Sequence, residues 1–199
     1  QIVIIKEVGE EVAARDMLRK AFEQEAKLLG NLNHASIPRV MDYFLKDKAQ
    51  FLVMEFVEGE DLDTQLNKRL QQHRGPFTCQ ELLPWADKIL AALEYLHSRP
   101  EPIVHCDIKP SNIKLTGDGR VYLLDFGLTK GTTKQRLTTS EGQPDVKVFG
   151  FTHAYAPLEQ SHGVAVVPQS DIYGVGGTLY HLLTGQPPPS ASLRVEAFQ

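Results

Sequence analysis

The chain opens on four consecutive aliphatic residues, Ile2-Val3-Ile4-Ile5, which predict a buried strand over 2–8 because β-branched side chains suit a pleated surface better than a helix start. From Asp16 the period changes. Leu18, Phe22, Ala26 and Leu29 recur along one face and predict a helix to about Asn31. Strand-like runs return at Val40 to Leu45 and at Phe51 to Val57, the second ending at Glu58-Gly59. A short polar helix is expected from Asp61 to Gln72, closed by His73-Arg74-Gly75-Pro76. The strongest amphipathic signal spans Gln80 to Ser98, where Leu82, Ala86, Ile89, Leu93 and Leu96 fall three or four apart and share a face that must be covered. Ile113–Leu115 and Val121–Leu124 flank Gly117-Asp118-Gly119 and predict two short strands joined by a turn. Residues 129–150, rich in Thr, Lys, Gly and Gln, show no period and read as a long loop. A last helix is expected from about Ser170 to Thr184, stopping at Gly185 before three prolines. There is no internal repeat. Strands gather in the first third and helices dominate afterwards, which predicts an α+β, two-lobed body.

Composition narrows the function classes. With 199 residues, 42% of them hydrophobic, the chain can bury one domain's core. A net charge of -4 argues against nucleic acid or an anionic membrane as the main partner, since both need a basic field. Cys79 and Cys106 are too few and too scattered for a disulfide framework or a zinc site, a pattern that favours a reducing cytoplasmic setting. No run of about 18 apolar residues is present, so no membrane contact is expected of this segment, although a parent protein could be anchored through a segment outside it. The chain starts inside a strand and without methionine, so it is expected to be a fragment.

The chemistry concentrates in Ile103-Val104-His105-Cys106-Asp107-Ile108-Lys109-Pro110-Ser111-Asn112 and in Asp125-Phe126-Gly127. Moving a phosphoryl group needs a carboxylate to orient the attacking hydroxyl, oxygen ligands to hold magnesium against the phosphates, and positive charge to offset what develops in transfer. One loop offers Asp107, Lys109 and Asn112, and Asp125 follows one hairpin later. Carboxylate and amide oxygens are the hard ligands that suit Mg2+.

His-x-Asp-x-Lys-Pro-x-x-Asn followed by Asp-Phe-Gly resembles the eukaryotic-like protein kinase superfamily in its bacterial serine/threonine form, and the resemblance covers essentially the whole chain. It implies ATP and Mg2+ as cofactors and a protein substrate with a Ser or Thr acceptor. By resemblance, Asp107 is the base, Lys109 contacts the γ-phosphate, and Asn112 and Asp125 are the metal ligands. His105, Phe126 and Gly127 support them. Val3-Ile4-Ile5-Lys6 is similar to the strand whose lysine holds the α- and β-phosphates and pairs with a helix glutamate. Glu25 is the expected partner and Glu23 its competitor; a two-residue shift turns a helix by about 200°, so both cannot face Lys6. Leu52 to Gly59 looks like the strand and hinge that receive adenine, with Met54 as gatekeeper, backbone groups of Glu55 and Val57 on the base, and Asp61 within reach of the ribose. Phe151 to Gln160 is similar to the segment that shapes the peptide site. There Thr152 would bond Asp107 and Lys109, a mark of Ser/Thr specificity, and Glu159 takes the closing glutamate position. Asp171, at the start of the last helix, would accept backbone N–H groups of the catalytic loop; read alone, it is a helix N-terminal acid.

The resemblance implies a partial antiparallel-sheet N-lobe over 1–57, lacking the glycine-rich loop, and a hinge with a mostly helical C-lobe over 58–199, lacking the final helices. Loss of the loop's oriented donors costs about 2.7–4 kcal/mol of transition-state stabilisation, so the motifs are expected to describe the parent better than the fragment. Cys106 replaces the usual arginine, which removes the cation that pairs with a phosphorylated loop. Lys114 stands where the family has an apolar residue under adenine. The rival readings are a pseudokinase or scaffold without turnover, against which every catalytic position present is intact, and a small-molecule kinase, against which Lys109-Pro110 and the Thr152…Glu159 segment argue. Oligomeric state has no signature in the sequence.

Overall fold

A computed structural model describes residues 2–8, 23, 26–46, 49–125, 152–162 and 164–196. The N-terminal part is an antiparallel sheet of β1 (Val3–Val8), β2 (Val40–Lys46) and β3 (Ala49–Glu55), ordered β1-β3-β2. The register opposes Lys6 to Leu52 and Ile4 to Met54. The helical turn at 26–30 brings Ala26 and Leu29 onto the core side of this sheet, where Leu52 and Met54 are also buried.

Beyond β3 the chain crosses to a second small sheet, β4 (Glu60–Asp61), β5 (Ile113–Leu115) and β6 (Val121–Leu123), also antiparallel. Gly59 makes that crossing with φ of 122°, and a Cβ there would lie 2.3 Å from the Leu115 carbonyl oxygen, so only glycine lets the linker pass so close to β5. The expected strand over 51–57 therefore ends two residues early, at Glu55, because residues 56–59 leave the sheet to make the crossing.

Five helices follow among the described residues. They are α1 (Leu62–Gln71), α2 (Cys79–His97), α3 (Leu158–Ser161), α4 (Pro168–Thr184) and α5 (Ala191–Glu196), with a 3₁₀ turn at Pro110–Asn112. Asp61, expected as the first residue of α1, is its cap and accepts from the Thr64 N–H at 2.8 Å. The long amphipathic helix starts one residue early because Thr78 and Glu81 form a reciprocal capping box. Ile89, Leu93 and Leu96 on its inner face are buried against a core that continues through Ile108 and Ile113 to Val175 and Leu182 on α4. Helix α4 ends at Gly185 in the left-handed conformation, φ of 73°. One hydrophobic cluster thus joins the sheet to the helices, and the fold is α+β. No helix among the described residues is long and apolar enough to cross a membrane.

Candidate active site

The segment joining α2 to the 3₁₀ turn carries the first cluster of functional side chains. Its shape is imposed from α4. The Asp171 side chain has no solvent exposure; one oxygen accepts from the Cys106 N–H at 2.9 Å, and the other from the His105 N–H at 2.9 Å and His97 Nε2 at 2.8 Å. Between these anchors Cys106 adopts φ of 67°, a left-handed conformation that costs a non-glycine residue about 1–3 kcal/mol and persists only where surroundings over-determine it. Gln160 supplies the other hold, its buried Nε2 donating to the Cys106 carbonyl at 2.6 Å. Gly174 lets α4 come close, since a Cβ there would meet Ile108 Cβ at 3.0 Å.

His105 is wholly buried. Its Nε2 donates to the Leu124 carbonyl at 2.9 Å, while Nδ1 accepts from the Asp107 N–H at 3.3 Å. Burial pushes its pKa down, against the opposing pull of the Asp171 charge, so the ring is the neutral tautomer that both bonds require. It ties the catalytic loop to the end of β6.

Asp107 follows, also buried. Its Oδ2 accepts from Asn112 Nδ2 at 3.0 Å and meets Lys109 Nζ at 3.0 Å. Lys109 also donates to Thr152 Oγ1 at 3.0 Å, so carboxylate, ammonium and hydroxyl form one chain across 45 residues of sequence. Asn112 spends its Nδ2 on the Asp107 carbonyl (2.8 Å) and carboxylate, which turns its amide oxygen away from Asp107. The Leu124 N–H donates to the Asn112 carbonyl at 2.8 Å, and Asp125 is the next residue, with φ of 55°.

Lys6 reaches over from β1 to Asp125 Oδ1 at 2.9 Å. Both side chains are well exposed, at 39% and 55%, so the pair contributes little to stability and its consequence is positional. The expected partner Glu25 lies outside the described residues, as do Phe126, Gly127 and loop threonines such as Thr138 and Thr139.

The positions expected to form the hinge run from the end of β3 across to β4. Met54 and Val57 are buried. The Glu55 carboxylate accepts from the Arg39 N–H at 3.2 Å. Both oxygens of Asp61 are engaged by Thr64 at 2.8 Å. On the peptide-site segment, Glu159 accepts from Ser170 Oγ at 2.6 Å, which fastens α3 to the start of α4. Tyr155 and His181 Nδ1 lie 2.6 Å apart; burial, helped by the Asp63 charge, pushes the phenol up to about 12, so the hydroxyl is the donor. The pairing matches the lowered pKa that burial gives His181.

The structure therefore gathers Asp107, Lys109, Asn112 and Thr152, sets Asp125 beside them on the chain's return, and underpins the group with His105 and Asp171. Two positioning residues, His97 and Gln160, had no assignable signal: each is a single polar side chain whose partner lies far away in sequence.

A buried carboxylate is thus linked to a lysine, which also holds a threonine, and to an asparagine, with an exposed aspartate paired to a strand lysine. The chain belongs to the protein kinase domain family, which it matches over residues 1–198. It is 36% identical over 176 residues to serine/threonine-protein kinase B of Synechocystis, covering 86% of this chain and 29% of that protein. It is 32% identical over 188 residues to the probable serine/threonine-protein kinase PknB of Lactococcus lactis, covering 94% and 28%. The chain thus spans less than a third of the length of these relatives. Among solved structures, the kinase domain of Mycobacterium tuberculosis PknI superposes with a TM-score of 0.71 at 28% identity, over 96% of this chain and 66% of that one. Rad53 in complex with AMP-PNP superposes with a TM-score of 0.70 at 27% identity, over 96% and 43%.

Proposed function

We propose that the protein containing this chain transfers the γ-phosphoryl group of ATP to Ser or Thr hydroxyls of protein substrates. The observation that carries the reading is the bridge from Asp107 Oδ2 through Lys109 Nζ to Thr152 Oγ1. It holds a carboxylate and a cation together on the segment where a substrate hydroxyl would approach. Asp107 orients that hydroxyl and accepts its proton as the bond to phosphorus forms. Lys109 offsets negative charge on the transferring group. Lys6 serves the α- and β-phosphates, and its contact with Asp125 keeps it at the mouth of the site.

Magnesium fits the residues present. Asn112 turns its amide oxygen away from Asp107, and the Asp125 carboxylate stands exposed close by in the chain. One carboxylate and one amide oxygen is a donor set that leaves room for phosphate oxygens and water, as Mg2+ prefers. The ion would neutralise phosphate charge. Among the described residues no cluster of three or more His, Cys, Asp or Glu offers a full protein cage, which accords with an ion shared with nucleotide.

The test is transfer of radiolabelled γ-phosphate from ATP to a generic acceptor protein with Mg2+, comparing the intact protein with its Asp107→Asn variant. Loss of about 10²- to 10⁴-fold in kcat with nucleotide binding retained is expected for removal of a general base. Binding of Mg-ADP without any transfer by the unmodified protein would overturn the reading in favour of a non-catalytic scaffold.

A further inference from the structure

Lys114 is the residue of the cleft that the roles above leave unused. On β5 its neighbours Ile113 and Leu115 turn to the core, so Lys114 projects from the opposite face, toward the hinge. The residue across from it on β4 is Asp61, an acid that would ordinarily take the ammonium. Both Asp61 oxygens are engaged by Thr64 instead, and Lys114 Nζ donates to the Val57 carbonyl at 2.8 Å. The ammonium also lies 5.4 Å from the centre of the Phe56 ring, a second favourable contact for a cation. A positive charge therefore sits against one carbonyl of the segment expected to form the hinge.

We propose that Lys114 is a base-selectivity residue, whose ammonium occupies the Val57 carbonyl and thereby disfavours purine nucleotides carrying a 2-amino group. The inference rests on the reading of the hinge as the adenine site. On that reading both the N–H and the C=O of Val57 face the base. A purine that places N1 on the Val57 N–H has its 2-position opposite the Val57 carbonyl. In adenine that position is a C–H, which asks nothing of the oxygen. A 2-amino group brings hydrogens of partial positive charge to an oxygen already polarised by an ammonium 2.8 Å away, and the two donors repel each other. The exclusion comes from charge and needs no steric block, because the adenine skeleton is the same in both cases.

The experiment uses the intact protein and measures calorimetric dissociation constants for Mg-ADP and for Mg-2-aminoadenosine diphosphate, which differ only at the 2-position. The unmodified protein is expected to bind the 2-amino form roughly five- to tenfold more weakly, the scale of one charged hydrogen bond contested in a cleft. Lys114→Met keeps the aliphatic stem and removes the charge, and should bring the two constants within about twofold. Lys114→Arg should preserve the discrimination, since it keeps the cation. Lys114→Leu reads the same ratio should the Met variant fail to fold. Equal binding of the two nucleotides by the unmodified protein, or a ratio unchanged in Lys114→Met, overturns the role of Lys114 and leaves the hinge reading standing. Failure of the unmodified protein to bind Mg-ADP overturns the hinge reading and the inference together.

Discussion

Replacing Asp171 by asparagine preserves the shape of the side chain but exchanges one acceptor oxygen for a donor NH₂. In the folded protein two backbone N–H groups, of His105 and Cys106, point at separate Asp171 oxygens at 2.9 Å, and His97 shares one of them at 2.8 Å. Whichever way the amide turns, one buried N–H faces another donor. A hydrogen bond to a charged acceptor contributes about 1.5–3 kcal/mol, and a buried donor left unsatisfied costs about 1–3 kcal/mol more. With no solvent reaching the side chain, neither cost is relieved by water. The expected destabilisation is about 3 kcal/mol or more, and at 2–4 °C per kcal/mol for a domain of this size the melting temperature should fall by roughly 6–12 °C. Urea unfolding measures it directly. On the proposed roles, the same substitution releases the left-handed Cys106 next to Asp107, so kcat should fall about tenfold or more while Mg-ADP affinity, assigned above to the hinge and Lys6, changes less than about threefold. A loss below about 1 kcal/mol with unchanged kcat would show that the backbone of this loop is not held from α4.

Three further outcomes follow from the same geometry. Lys6→Met should lower kcat/KM by about 10²-fold with the unfolding midpoint unchanged, because its pair with Asp125 is exposed; a large stability loss would contradict the positional role. Acid should destabilise the protein: burial holds His105 below its unfolded value of 6.5, so beneath that pH the unfolded chain binds a proton that the folded one refuses. Stability is therefore full above about pH 6.5 and falls as pH drops toward the folded pKa, with His34 and His181 shifted the same way; a urea midpoint that rose between pH 7 and pH 5.5 would refute this. Substituting Asp for Thr138 or Thr139 should leave turnover within about twofold, measured by phosphate transfer, since Cys106 offers no cation to an added negative charge.

What could be read from the sequence divides by the range of the interaction. The long helix was legible because Thr78, Glu81 and five apolar positions act within a few residues of one another. The loop from His105 to Asn112 was legible because its chemistry is packed into eight consecutive residues. The end of β3 was misplaced by two residues: Phe56 and Val57 continue an apolar run, and nothing local announces that Gly59 must bring the chain within van der Waals contact of Leu115. Gln160 was invisible as a functional residue for the same reason. A glutamine after a glutamate carries no pattern, and its meaning comes only from a carbonyl 54 positions earlier. Lys114 was visible as an anomaly, yet its direction depended on whether Thr64 had already claimed Asp61.

The same contacts bear on what the missing arginine means. A catalytic loop that relies on a phosphorylated segment for its shape needs a cation on that loop to receive the charge. Here the residue before Asp107 is a buried cysteine in a left-handed conformation, and its backbone is held on both sides by uncharged or internally compensated partners. Asp171 takes the N–H, Gln160 takes the carbonyl, and His105 locks the adjacent peptide to β6. Each of these bonds exists without any added group. The strain at Cys106 is therefore offset by bonds among the described residues, none of which involves an added phosphate. Gln160→Leu separates this from a purely structural contact. If internal bonds alone aim Asp107, the variant should lose kcat with KM for ATP unchanged, and Gln160→Glu, which offers the Cys106 carbonyl a carboxylate instead of a donor, should lose more. Equal, small effects of both would mean that Asp171 suffices.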